Sequence, residues 1–218
     1  MKLILSWSGG KDSALSLYTL QQSGEHQIDA LLTTITRDFD RISMHGVRRS
    51  LLHQQAKAIG LPVLEVGISA NAANPEYEAS MTAVLSAYQQ QGIEAVAFGD
   101  IFLEDLRAYR EKLVQPLGLK SIFPIWKRDT RELMTTFLQL GFKAAVACVD
   151  TQVLDASFAG RMIDEDFLRD LPDGVDPCGE NGEFHSFVFD GPIFSRPVPI
   201  TVGETVMRDQ RFCFCDFY

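Results

Sequence analysis

The sequence predicts an α/β protein built around a doubly wound parallel sheet, and three observations carry that expectation. Short apolar runs alternate with amphipathic stretches through the first two-thirds of the chain. Glycines such as Gly24, Gly60 and Gly92 punctuate the amphipathic stretches where helices would stop. A glycine-rich turn separates the first apolar run from the first amphipathic stretch. Strands alternating with helices imply right-handed βαβ units around a parallel sheet. Such a sheet binds ligands beyond the carboxyl ends of its strands, at a switch in strand order.

The elements follow in order. Leu3–Trp7 is a compact apolar run, followed after the glycine turn by a helix over Ser13–Gln22 that carries Leu15, Leu17, Tyr18 and Leu20. Ile28–Ile35 is a second buried strand, followed by the polar loop Thr36–Ser43. A helix runs from Val47 to Ile59 with Leu51, Leu52, Ala56 and Ile59 near helical spacing, and Gly60 stops it. Val63–Val66 is the third strand. Asn74-Pro75 opens a helix to Gln91, since proline suits the first turn. Ala95–Phe98 is the fourth strand, ending at Gly99-Asp100. Leu103–Leu117 reads as a helix and Ser121–Ile125 as the fifth strand. The ligand-edge loops are then Ser8–Lys11, Thr36–His45, Ser69–Asn74 and Gly99–Asp105.

After Trp126 the character changes. Asp129–Leu140 reads as a helix, Lys143–Val149 as a strand and Asp164–Leu171 as a short acidic helix, and the chain from Phe184 is rich in Phe, Val and Pro. The expected division is a nucleotide-binding domain over 1–126 and a smaller α+β substrate domain over 127–218.

Composition narrows the function classes. The chain has 218 residues, 46% hydrophobic, enough for one large domain or a medium domain with an appendage. Its net charge of −9 disfavours a broad phosphate-backbone footprint, so a nucleic-acid partner is not expected. No apolar run has the length of a membrane span or signal peptide, and the expected setting is cytoplasmic. The four cysteines, Cys148, Cys178, Cys213 and Cys215, make no disulfide framework and no zinc-type pairing. Cys213 and Cys215 are expected to face one side of a terminal strand. An exposed Phe-rich C-terminal strand could pair between subunits, giving a homodimer.

Ser8-Gly9-Gly10-Lys11-Asp12-Ser13 follows the first strand and opens the first helix. Two glycines permit a tight turn and close approach of backbone to an anion. The helix N-terminus adds unpaired amides and the positive dipole end. Lys11 adds a cation, and the Ser8 and Ser13 hydroxyls can donate to phosphate. Asp12 would repel phosphate without a divalent cation between them, which points to Mg²⁺. The motif is not a Walker A loop, because Leu5 and Asp12 stand where a glycine and a Ser or Thr are needed. A plain helix start with a convenient turn is the bland alternative.

This hexapeptide resembles the pyrophosphate loop of the N-type ATP pyrophosphatases, or PP-loop proteins. That superfamily includes GMP synthetase, NAD synthetase, argininosuccinate synthetase and tRNA-thiolating enzymes. The resemblance implies a HUP-like, Rossmann-like fold, use of ATP with Mg²⁺, and pyrophosphate binding by Ser8, Gly9, Gly10, Lys11, Asp12 and Ser13. Ser6 and Trp7 lead into that loop.

A second motif runs Cys178-Gly179-Glu180-Asn181-Gly182-Glu183-Phe184-His185-Ser186. Its carboxylates could orient an amine or accept its proton, and His185 could act as acid or base. A polar hairpin with an Asn-Gly turn explains the same residues equally well. With the first motif, Met44-His45-Gly46, Phe98-Gly99-Asp100-Ile101 and Phe123-Pro124-Ile125-Trp126, it resembles the diphthine–ammonia ligase family over nearly the whole chain. The family's usual loop is of Glu-Gly-Gly-Glu type; Asn181 and His185 depart from it and resemble a bacterial branch with a different amidated substrate.

The resemblance implies an ATP-dependent ligase that adenylates a substrate carboxylate, releases pyrophosphate and amidates the acyl group with ammonia. Thr33, Thr34 and Ile35 would line the adenine side, and Gly99 and Asp100 would face the nucleotide, with Asp12 and Asp100 toward the metal. Lys11 would offset charge on pyrophosphate, and Glu183 or His185 would take the proton from ammonia. His45, Glu180, Asn181, Glu183 and His185 would meet the substrate, carried on a small molecule or a protein. Two other readings stay open: a sulfurtransferase acting on tRNA, for which Cys178 is the candidate cysteine, and a non-catalytic ATP-binding sensor. Arg48 and Arg49 could meet phosphate but better fit a solvated helix start, while Arg107 and Arg110, near Asp100, could bind an anionic substrate.

Overall fold

The computed structural model describes residues 1–70 and 73–218; Asn71 and Ala72, within the expected Ser69–Asn74 loop, lie outside the described residues. The first half alternates strand and helix: β1 (Lys2–Ser6), α1 (Lys11–Ser23), β2 (Gln27–Thr36), β3 (Arg41–Ile42), α2 (Arg49–Ile59), β4 (Val63–Ile68), α3 (Asn74–Gln89), β5 (Ala95–Ala97), α4 (Glu104–Val114) and β6 (Lys120–Ile122). Strands β4, β2, β1, β5 and β6 lie side by side and parallel. The order reverses between β1 and β5, so the crevice at the carboxyl ends of those strands is the expected ligand site.

Alternation along β1 explains why both faces of this sheet are covered. Leu3 and Leu5 enter one core, with Leu17 of α1 and Leu52 of α2. Ile4 enters a second core with Met81 and Leu85 of α3 and Val114, the last residue of α4. Side chains at successive strand positions point to opposite faces, so a strand buried on both sides reads as a continuous apolar run.

The loop expected over Thr36–Ser43 contains the two-residue strand β3, antiparallel to the end of β2. Ile35 and Thr36 pair with β3 and also with Gly67 and Ile68 of β4, so β3 lies on the β1 side, beyond the end of β1. The turn after β3 is thereby brought over the first glycine loop.

The second half comprises α5 (Thr130–Gln139), β7 (Lys143–Asp150), α6 (Glu165–Asp170), β8 (Phe184–Asp190), β9 (Val202–Arg208) and β10 (Phe212–Phe217). Its sheet runs β8-β7-β10-β9, antiparallel throughout. The C-terminal strand is therefore not an exposed edge: β10 lies between β7 and β9, and the edges are β8 and β9. Cys213 and Cys215 both point into the core, as i, i+2 spacing requires.

Edge strand β8 is seated on the glycine loop of the first half. Val188 N–H donates to the Gly9 carbonyl at 2.9 Å, and Lys11 N–H donates to Ser186 Oγ at 3.1 Å. Gln55 of α2, fully buried, completes the seat. Its Nε2 donates to the Gly9 and Val188 carbonyls, and its Oε1 accepts from Trp7 Nε1 at 3.1 Å. A buried amide so fully paired costs little, whereas losing any partner would leave a desolvated polar atom.

Candidate functional site

A cavity of about 400 Å³ opens at the carboxyl ends of β1 and β5. Three walls meet there: the first glycine loop with the start of α1, the Ser43–His45 turn with the Glu180–Ser186 loop, and the facing sides of α3 and α4.

Gly10 is the residue before α1, in extended conformation, and no side chain caps the helix. The first-turn amides of Asp12 and Ser13 therefore lack intrahelical partners, as at every helix start. Gly99 packs against that turn so closely that a Cβ there would stand 3.1 Å from the Ser13 nitrogen. Ser8 Oγ lies 3.3 Å from Ser13 Oγ, which in turn donates to the Gly10 carbonyl. Ser6, Trp7, Ser8, Lys11, Asp12 and Ser13 all line the cavity. Gly9 and Gly10 do not; the Gly9 carbonyl is turned towards β8 and Gln55.

Lys11 is almost wholly buried, its Nζ donating to Asp12 Oδ2 at 2.9 Å and lying 5.1 Å from the centre of the Phe184 ring. Burial pulls its pKa down, but Asp12 together with the other acidic groups around it leaves it raised above the ordinary lysine value, so the ammonium persists. Burial pushes the Asp12 and Asp100 carboxyls upward, against the pull of Lys11 and Arg110 respectively. Asp12 Oδ1 and Asp100 Oδ2 are buried without a hydrogen-bond partner.

No group of three or more His, Cys, Asp or Glu side chains is arranged to hold a metal ion among the described residues. Two carboxylates with orphaned oxygens nevertheless fit Mg²⁺, which commonly takes one or two protein carboxylates and fills its shell with phosphate and water.

The second loop divides its carboxylates. Glu180 lines the cavity and accepts from the Ile101 N–H at 2.7 Å. Burial drives its pKa up to about 7, with Asp12 and Asp100 adding to the rise. Glu183 lies elsewhere: it is buried outside the cavity lining, where Oε1 accepts from Asp176 N–H and from Asn181 Nδ2. Glu183 and Asn181, expected to meet substrate, are thus placed outside the cavity lining and bonded to each other. The cavity carboxylate of this motif is Glu180.

His185 and His45 do meet in the cavity, their ring centres 4.6 Å apart. Burial lowers both pKa values, that of His185 to about 4, so both rings are neutral at pH 7. His45 Nδ1 lies 3.1 Å from the Ser186 carbonyl.

On β2 the expectation for Thr33–Ile35 is corrected by strand alternation. Thr34 lines the cavity, while Thr33 turns inward to donate to the Trp7 carbonyl and Ile35 enters the core. Arg48 and Arg49 pair with Asp216 and Glu65, away from the cavity. Arg107 stacks on Phe123 and Trp126, whereas Arg110 lines the cavity beside Asp100. Cys178 is buried, its thiol donating to the Thr130 carbonyl and its pKa raised by burial, which does not suit a reactive thiolate.

Sequence reasoning missed Gln55, Tyr77 and Ser43. Gln55 carried a signal, since it lies four residues from both Leu51 and Ile59 on the buried stripe of α2, where a polar residue needs a reason.

A parallel sheet with a glycine loop at its switch point, a buried lysine behind the loop and two carboxylates with orphaned oxygens define an α/β protein with a candidate anion site at the carboxyl ends of β1 and β5. The N-terminal domain model of diphthamide synthase matches residues 1–121, and its C-terminal domain model matches residues 129–216. The chain belongs to the diphthamide synthase family. It is 27% identical to the diphthine–ammonia ligase of Danio rerio, over 96% of this chain and 90% of that protein. It is likewise 27% identical to that of Schizosaccharomyces pombe, over 94% of this chain but only 37% of the longer yeast protein. A solved structure described as a predicted subunit of tRNA methyltransferase from Methanocaldococcus jannaschii aligns with a TM-score of 0.43 at 18% identity, covering 66% of this chain and 77% of that one. No described helix is long and apolar enough to cross a membrane.

Proposed function

We propose that the chain is an ATP-dependent amide ligase. A substrate carboxylate oxygen attacks the α-phosphorus of ATP, the bond to pyrophosphate breaks, and an acyl-adenylate forms. Ammonia then adds to the acyl carbon, AMP leaves, and one proton is released. The observation that carries this reading is the match of both halves of the chain to the diphthamide synthase models, with the glycine loop at the switch point of the sheet. The relatives' shared name points to diphthine as the acceptor.

The chain's own residues divide the work as follows. The Asp12 and Ser13 amides of α1, with the Ser8 and Ser13 hydroxyls, bind the β- and γ-phosphates. Lys11 balances the charge that develops on departing pyrophosphate. Asp12 and Asp100 would hold Mg²⁺, which when bound supplies positive charge to the phosphate oxygens. Thr34 and the Ser43–His45 turn border the adenosine. Glu180, with a pKa of about 7, and the neutral His185 stand where an ammonium proton can be taken up.

The test is phosphorus NMR of ATP with Mg²⁺, ammonium and either a diphthine-bearing protein or a pool of small carboxylic acids. AMP and pyrophosphate should appear only with acceptor and ammonium together, and Lys11→Ala should lower turnover by about 100-fold or more. ADP and phosphate as products, or a Lys11→Ala variant with near-full activity, would sink this assignment.

A further inference from the structure

The cavity reaches past the glycine loop to the opposite face of the parallel sheet. Its wall there comes from the second core layer: Tyr77 and Met81 of α3, Leu106 and Arg110 of α4, and Phe98 after β5. None of these belongs to the glycine loop or to the Glu180–Ser186 loop.

The cations that line the cavity differ in how far they are satisfied. Lys11 is hydrogen-bonded to Asp12, and both cavity histidines are neutral at pH 7. Arg110 donates through Nη1 to the Tyr77 hydroxyl at 3.1 Å. Its Nε forms a long ion pair with Asp100 Oδ2 at 3.6 Å, beyond hydrogen-bond distance, and is buried with no hydrogen-bond partner. The guanidinium is held in place, stacked 5.3 Å from the centre of the Phe98 ring, and Tyr77 is in turn stacked on Tyr109. A fixed planar fork with an unsatisfied donor suits the two oxygens of a carboxylate. Met81, Phe98 and Leu106 beside it suit an apolar body.

We infer that Arg110, braced by Tyr77, forms the acceptor subsite of this enzyme and binds a carboxylate carried on an apolar body. The inference rests on the ligase reading. A carboxylate on Arg110 completes the donor set that Asp100 leaves open. The same placement keeps the acceptor beside the strand-end carboxylates, where the phosphates would lie, and away from the adenosine wall formed by the Ser43–His45 turn.

Calorimetry on the full chain tests this with a non-hydrolysable ATP analogue and with acetate, butanoate, benzoate and phenylacetate as probes, the acids titrated into protein saturated with analogue. Affinity should rise from acetate to benzoate and phenylacetate. Arg110→Gln should weaken the acids by about tenfold or more, and Tyr77→Phe, which keeps the ring packing, by a few-fold, with analogue affinity unchanged in both. If Arg110→Gln weakens the analogue as much as the acids, the subsite belongs to the nucleotide and the inference fails. Analogue binding with no measurable acid binding also overturns it while leaving the ligase reading intact. Failure of the analogue itself to bind would instead overturn the ligase reading beneath it.

Discussion

Glu180 turns one carboxylate oxygen to the amides that follow Asp100, in a wall where burial lifts its pKa from 4.5 to about 7. An acid whose pKa is higher folded than unfolded holds more protons in the folded state between the two values. Stability therefore falls as pH rises from about 4.5 to about 7, and stays at the lower level above that. This group should cost the wild type on the order of 1–2 kcal/mol across the window, allowing for its partial solvent contact. Glu180→Gln removes the titration, so the gap between wild-type and variant stability should shift by that amount, always in the variant's favour as pH rises. Urea unfolding at half-unit steps from pH 4.5 to 8 measures it, and parallel curves would show that Glu180 does not titrate there. The difference between Glu180 and Glu183 was not legible beforehand. Both are acidic residues on one irregular loop, and without a helical or strand period no spacing tells which of them faces a cavity. Asp12 and Lys11 were legible because a strand–glycine–helix junction fixes where its side chains go.

At the scale of elements, the turn that carries His45 into the cavity rests on β10. Gly46 adopts φ +70°, and a Cβ there would lie 2.6 Å from the Phe214 ring. Arg41 and Arg48, on either side of it, both pair with Asp216 of the same strand. Gly24, just past α1, has a similar φ of +63° but open space around it. Alanine at Gly24 should cost only the backbone strain, about 1 kcal/mol, whereas alanine at Gly46 adds a clash with a packed ring and should cost about 3 kcal/mol or more. Denaturant midpoints of the two variants compare them directly; equal losses would mean that β10 does not seat the turn. The strands and helices themselves were readable from apolar runs and glycine stops, with ends moved by a residue or a few. β3 was not, because two residues carry no period and form a strand only by pairing with the overhang of β2. The face of β2 that meets the cavity was likewise open: alternation separates Thr34 from Thr33 and Ile35, but only the position of β1 says which set points outward.

Taken as a whole, the molecule joins its two sheets through the functional loop itself. The Gly9 carbonyl, Lys11 N–H, Gln55 and β8 form one buried hydrogen-bonded set, and the core beneath it runs from Leu5 and Leu52 to Phe187 and Phe217 without interruption. The sequence marks a change of character near Trp126, and from that change comes the expected division into domains over 1–126 and 127–218. What it does not reveal is the seat, since Gln55, Ser186 and Val188 come from distant parts of the chain and become neighbours only on folding. Melting either sheet alone would strip partners from buried polar groups in the other and expose part of a shared core, a cost of several kcal/mol beyond the lost half. The two halves should therefore unfold together. Both tryptophans, Trp7 and Trp126, precede the antiparallel sheet, so their fluorescence follows the first half, while far-UV circular dichroism follows both. Urea transitions by the two probes should share one midpoint. A dichroism change that continues after the fluorescence transition is complete, or begins well before it, would mean that the halves are independent. In that case the glycine loop would keep its shape without β8 behind it.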